Sequence, residues 1–250
     1  MLFRGKLKRH MFHGFLSTAD AERALRSLGR LVRHDIRRWA LTGGFAIEIH
    51  HMLRGHQPSL RPLNDIDFIA DSFDCIPVTL ANDFLFRHIH PLDPPGRTIL
   101  QCIDSESTLR IDVFRAYGAT MSRTSQIELP TNSIRLISLE DLMARAARLV
   151  LDLAEGVPTP AKHARDYLRL SNLVNPAQVE EAWLDQRKSR HPATFEEADD
   201  LLRKLIPTSH NLLITPDYSK DVEAICPRCA PSADFHLADA RVVMSLLGYC

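Results

Sequence analysis

Trp39-Ala40-Leu41-Thr42-Gly43-Gly44-Phe45-Ala46-Ile47-Glu48, followed after a polar loop by Arg61-Pro62-Leu63-Asn64-Asp65-Ile66-Asp67-Phe68, is the stretch whose reading decides the fold. The first run reads as a short buried strand that enters a Gly-Gly turn and continues as a helix over residues 45–54. Glycines without Cβ atoms let backbone N–H groups approach a phosphate closely, and the helix aims its positive end at the same point. In the second run side chains alternate along a strand, so Asp65 and Asp67 point the same way and Ile66 points into the core. Two carboxylates this close repel unless a cation sits between them, and hard divalent cations that handle phosphates take carboxylate oxygens. The pair therefore predicts Mg²⁺. A third carboxylate, Asp112, lies in Leu109-Arg110-Ile111-Asp112-Val113-Phe114, with Ile111 and Val113 on one face and Arg110 and Asp112 on the other. It is placed to close the site from a neighbouring strand. Taken singly, Asp65 also reads as part of an Asn64-Asp65 turn and Asp112 as the partner of Arg110 or Arg115; three carboxylates behind Gly-Gly favour the site.

Composition bounds the rest. A chain of 250 residues with 45% hydrophobic content can bury one good core and a smaller accessory unit. The formal charge is zero, which argues against a nucleic-acid binder working by general basicity. Arg23, Arg26, Arg30, Arg33, Arg37 and Arg38 cluster largely on one helix, either as a solvated face or as a surface toward a polyanion. Basic residues near the start precede no apolar run of signal-peptide length, and nowhere do 18 apolar residues run together, so a cytoplasmic protein without a membrane association is expected. Five cysteines, an odd count, argue for reduced thiols or a metal site over a disulfide framework.

Ser17, with Asp20 three residues on, opens a helix that should end near His34. Strands are expected at 66–70, 84–90, 98–103, 109–114 and 133–137, and helices at 138–154, 159–173, 176–188 and 194–205. Short strands interrupted by few helices predict an α+β fold with a mixed sheet. The expected domains are a catalytic domain over 1–137, a helical domain over 138–206 and a Cys-containing tail over 207–250. Glu48 reads as an exposed helix carboxylate, with an assisting base as the functional alternative. His50, His51 and His56 read as surface or packing residues, since no His-Glu-x-x-His pattern accompanies them. Asp166 reads as structural, paired with an Arg.

The Gly-Gly and Asp-x-Asp segments resemble the nucleotidyltransferase superfamily that shares its catalytic fold with DNA polymerase β. Ser138-Leu139-Glu140-Asp141-Leu142-Met143-Ala144-Arg145 and Lys162-His163-Ala164-Arg165-Asp166-Tyr167-Leu168-Arg169-Leu170 look like the two helices that follow the sheet in AbiEii-type toxins and aminoglycoside nucleotidyltransferases. The resemblance covers roughly residues 35–175. Two departures are Leu63, where Ser or Thr often precedes Asp-x-Asp, and Arg145 where a Lys often stands; neither removes a metal ligand. The resemblance implies a nucleotidyltransferase-fold mixed sheet with flanking helices, followed by a helical domain, and transfer of a nucleoside monophosphate from a nucleoside triphosphate to a hydroxyl. It implies that Asp65 and Asp67 ligate Mg²⁺ and that Asp112 holds the catalytic metal and takes the hydroxyl proton. Thr42, Gly43 and Gly44 would contact the phosphates, and Lys162 would bind the triphosphate tail. RNA ends, a protein hydroxyl and a small hydroxylated compound all fit as acceptor, and a toxin would have an antitoxin as partner. The rival is a non-catalytic nucleotide-binding or interaction module of the same fold.

Cys226-Pro227-Arg228-Cys229 has the spacing that lets two thiolates reach one tetrahedral Zn²⁺. That is half a site, to be completed from His236, Cys250 or His210, and two reduced cysteines in a turn remain the alternative.

Overall fold

Alternation of apolar and polar residues, strongest in Asp65–Ala70, Ile99–Asp104 and Arg110–Arg115, lays down the centre of a mixed sheet in the computed structural model. The structure describes residues 5–6, 12–87, 99–129, 133–215 and 236–237. It falls into two units, one of Met1–Ala116, Thr124–Leu136 and Ser219–Cys250, the other of Tyr117–Arg123 and Ile137–Tyr218. Together the described elements form an α+β arrangement.

In the first unit, in chain order, are β1 (Gly5–Lys6), α1 (Thr18–Leu31), β2 (Trp39–Leu41), α2 (Gly43–Leu53), β3 (Asp65–Ala70), β4 (Phe84–Arg87), β5 (Ile99–Asp104), β6 (Arg110–Arg115), β7 (Ser125–Glu128) and β8 (Ser133–Leu136). The strand order is β1-β7-β8-β2-β3-β6-β5-β4, with His236–Leu237 added beyond β4, giving nine strands among the described residues. β2 runs antiparallel to β3 and parallel to β8, while β3 and β6 are parallel neighbours in the register Asp65↔Arg110 and Asp67↔Asp112. The period of two then sorts the side chains: Ile66, Phe68, Leu100, Cys102, Ile111 and Val113 are fully buried. The residues between them, the aspartates included, take the other face. Apolar residues at helical spacing, Ala21, Ala24, Leu28 and Leu31, are likewise fully buried on α1, whose first turn is capped by the Ser17 hydroxyl accepting the Asp20 N–H at 3.1 Å.

Much of the arginine cluster is answered by carboxylates. Arg30 is buried against Asp83, Asp104 and Glu106, Arg37 pairs with Asp35, and Arg38 pairs with Asp71. Arg23 donates to the Leu63 carbonyl at 2.6 Å. These partners lower the charge that surface could offer a polyanion.

The second unit contains α3 (Leu139–Val150), α4 (Ala161–Ser171), α5 (Glu180–Gln186) and α6 (Phe195–Thr208), with a short parallel pair formed by Thr159–Pro160 and Leu213–Ile214. Ser138 caps α3, and Thr194 with Glu197 forms a capping box on α6. Asp141, fully buried, accepts from Thr120, from both Nε and Nη2 of Arg123, and from Ser138. The single helix expected over 176–188 is interrupted. Asn175 Oδ1 accepts the Ala177 N–H and closes a 3-10 turn at Pro176–Gln178, so α5 begins only at Glu180. α6 in turn runs past Leu205 and includes Pro207, whose missing N–H gives up one intrahelical hydrogen bond in the last turn. Among the described residues, no helix is long and apolar enough to cross a membrane.

Candidate active site

The parallel register of β3 and β6 puts Asp67 directly beside Asp112 and Asp65 beside Arg110. One carboxylate oxygen from each of Asp65, Asp67 and Asp112 lies within 4.8 Å of the others. Asp112 is only 6% exposed, and its Oδ1 is buried without a hydrogen-bond partner. Its Oδ2 receives a long bond, 3.5 Å, from Gln101 Nε2 on β5. Arg110 Nη2 donates to Asp65 Oδ2 at 2.5 Å, and its Nε stands 3.3 Å from Asp112 Oδ1 without the angle of a hydrogen bond. Arg110, a residue offered by sequence as a partner for Asp112, is thus within ion-pair distance of Asp112 and also hydrogen-bonds Asp65. Burial, above all, pushes the Asp112 carboxyl up to about 7; Asp67 and Asp65 push the same way, against Arg110 and the Gln101 bond.

The Gly-Gly turn is tied to this cluster by backbone and by contact. The Thr42 N–H donates to the Asp67 carbonyl at 2.9 Å. Gly43 has φ +66°, and an ideal Cβ there would lie 1.9 Å from Asp67 Oδ2, so the carboxylate occupies the space a side chain would fill. At Gly44 an ideal Cβ would lie 2.6 Å from Nη1 of Arg61. Arg61 Nε in turn donates to Glu48 Oε1 at 2.5 Å, and the Ser59 N–H donates to Glu48 Oε2 at 2.7 Å. Glu48 is fully buried, which corrects its sequence reading as an exposed helix residue. Its position explains why: it lies one turn beyond Phe45 and between Ile47 and Ile49, on a helix buried nearly all round. That burial was a signal available in the sequence, whereas the distance to Arg61, thirteen residues on, was not.

A hard divalent cation fits what is present. The donors are all carboxylate oxygen, and a buried acceptor atom lacks a hydrogen bond. Asp65, Asp67 and Asp112 are the residues that would hold it. Lys162, expected at the triphosphate tail, stands in the first turn of α4 in the second unit. His50 and His51 are buried packing residues of α2 and His56 is exposed. Asp166 is buried on α4. Cys226, Cys229 and Cys250 lie outside the described residues, so the zinc expectation does too; of their suggested partners, His210 falls in a 3-10 turn and His236 is described through its backbone.

No protein-family model matches the chain, and no curated protein matches it. Solved structures are similar to it, two of them as follows. An antigenic nucleotidyltransferase-like protein from Paracoccidioides brasiliensis shares 16% identity, over 79% of this chain and 94% of that one, with a TM-score of 0.39. The antibiotic-resistance factor ANT(2'')-Ia shares 14%, over 78% and 95%, with a TM-score of 0.40. What can be said of function rests on the chain's own geometry.

Proposed function

We propose that the chain is a Mg²⁺-dependent nucleotidyltransferase that moves a nucleoside monophosphate from a nucleoside triphosphate to an acceptor hydroxyl. The observation that carries this is the meeting of Asp65, Asp67 and Asp112 within 4.8 Å, with Asp67 seated against the Gly43 backbone at the start of a helix. The Gly43 and Gly44 backbone N–H groups, with Thr42 beside them, would hold the phosphates at the positive end of α2. Bound Mg²⁺ would supply polarisation of the α-phosphate and neutralisation of the departing pyrophosphate. Asp112 takes the proton of the acceptor hydroxyl as its oxygen bonds to the α-phosphorus, while the bond from that phosphorus to the bridging oxygen breaks and pyrophosphate leaves. Residues 1–137 would carry this chemistry, and 138–206, with Lys162, would present the acceptor and the triphosphate tail.

Purified protein incubated with each nucleoside triphosphate labelled at the α-phosphate, alone, with total RNA and with a panel of hydroxylated antibiotics, tests the proposal. Label should appear on one acceptor class and vanish with a chelator. Label on RNA or on a protein hydroxyl would make a neighbouring antitoxin gene the next place to look. Absence of transfer from all four nucleotides to every acceptor class would overturn it.

A further inference from the structure

Arg61 stands at the mouth of the Gly43-Gly44 turn, and nothing in the reaction described above uses it. Its Nη1 lies 2.6 Å from the place a Cβ would take on Gly44, while its Nε is fixed by Glu48 at 2.5 Å. Its backbone is fixed as well, with the Arg61 N–H donating to the Phe15 carbonyl at 3.0 Å. A guanidinium is an odd neighbour for this turn, because the first turn of a helix carries positive partial charge and favours anions over cations. With the Asp67 carboxylate set against Gly43, the helix start and Arg61 make this turn a place where negative charge is held.

The partner of Arg61 is equally telling. Glu48 is fully buried on a helix among the apolar Phe45, Ala46, Ile47 and Ile49, with His50 and His51 buried beyond them. A buried ion pair of this kind seldom stabilises more than an apolar pair of the same volume, so its presence points to positioning. Both Glu48 oxygens are engaged, one by Ser59 N–H and one by Arg61, which fixes the guanidinium's orientation from behind. Beside it, Asp112 Oδ1 is buried without a hydrogen bond in a carboxylate cluster that fits a cation, and a metal triphosphate delivers cation and anion together.

We propose that Arg61 is a binding residue for the triphosphate, presented over the Gly43-Gly44 turn by Glu48, which acts as a positioning residue. This rests on the nucleotidyltransferase reading of the same site. The guanidinium fork matches non-bridging phosphate oxygens in a way an ammonium does not, so charge alone will not replace it.

The test is calorimetric binding of a non-hydrolysable nucleoside triphosphate with Mg²⁺, alongside Mg²⁺ alone, to the full chain. Removing only Arg61 would leave Glu48 buried and uncompensated, so the informative variants are Arg61→Lys and the paired Arg61→Met/Glu48→Gln, which removes both charges. Both should keep a melting temperature near that of the parent protein and bind Mg²⁺ alone as the parent does. Nucleotide affinity should fall about tenfold or more in each, the scale of losing a charge-assisted hydrogen bond. A monophosphate analogue should be affected less than the triphosphate. Folded variants that bind the triphosphate as tightly as the parent would overturn the role of Arg61 while leaving the nucleotidyltransferase reading standing. A parent protein that binds no nucleotide at all would remove both.

Discussion

Gly43 and Gly44 are adjacent in the chain and held by different constraints. Gly43 has a left-handed backbone and an aspartate oxygen where its Cβ would go, so Gly43→Ala combines a backbone penalty of about 1 kcal/mol with displacement of Asp67. We expect a lowered melting temperature and weakened Mg²⁺ binding; parent-like values for both would contradict the placement of Asp67. Gly44 meets the Arg61 guanidinium, which Glu48 holds in place. Gly44→Ala should therefore displace Arg61 from Glu48, lowering the melting temperature and weakening nucleotide binding while leaving binding of Mg²⁺ alone as in the parent. Asp65→Asn, Asp67→Asn and Asp112→Asn should each cut transfer by about 10² or more, the scale of losing a positioned electrostatic group. Because each substitution removes charge from a repelling cluster, the metal-free variants should stay folded. Circular dichroism beside the transfer assay checks both halves, and a folded Asp67→Asn enzyme with parent-like turnover would end that assignment.

At the scale of elements, the second unit depends on Asp141 more than on any cap. It binds Arg123, Thr120 and Ser138 at once, and Gln186 donates to its carbonyl at 3.1 Å, so the segment before the sheet hairpin, α3 and α5 share one buried carboxylate. Asp141→Ala should cost about 3–5 kcal/mol, as expected when one member of a buried pair is removed, against about 1 kcal/mol for Thr194→Ala in the α6 capping box. Urea denaturation ranks the two, and equal losses would refute the ranking. The sequence made some elements legible and hid others for identifiable reasons. Asp-x-Asp, Gly-Gly and the Ser17 and Ser138 helix starts are local patterns, readable because a strand's period or a capping bond involves residues within four positions. β7 is not legible locally because Ser125-Gln126-Ile127-Glu128 has a single buried apolar residue and owes its place to pairing with β8 and β1. That Asp112 comes to lie beside Asp67 was an expectation from its own alternation, whereas Arg110 bonding Asp65 depends on the parallel register, which no short window contains. The same holds for Glu48 and Arg61, where the buried phase of the helix was visible and the loop's return to it was not.

At the scale of the whole molecule, Asp112 and His163 couple stability to pH with opposite sign. Asp112 is pushed up to about 7, so between its unfolded pKa near 4 and that value the native state holds the extra proton, and stability falls as pH rises through the window. His163 is pushed down to about 4, mainly by burial and then by Lys162, so from about 6.5 downward the unfolded state takes the extra proton and stability falls as pH drops. The two contributions oppose each other from about pH 4 to 6.5. In metal-free buffer, Asp112→Asn should therefore make stability fall more steeply on acidification than in the parent, and His163→Gln should do the reverse. Denaturant titrations from pH 4 to 7.5 check this, and identical slopes in all three proteins would show that neither group titrates as placed. One more consequence follows from the floor of the candidate site. Cys102 is fully buried on the core face of β5, paired with Ile111 beside Asp112, and burial raises its thiol far above the usual range, whereas Cys75 is half-buried. A thiol-reactive reagent should then modify Cys75 in the native protein and reach Cys102 only when β5 parts from β6. The rate of Cys102 alkylation, followed by peptide mass spectrometry, becomes a clock for the opening of that strand pair, and a divalent cation gripping Asp112 should slow it.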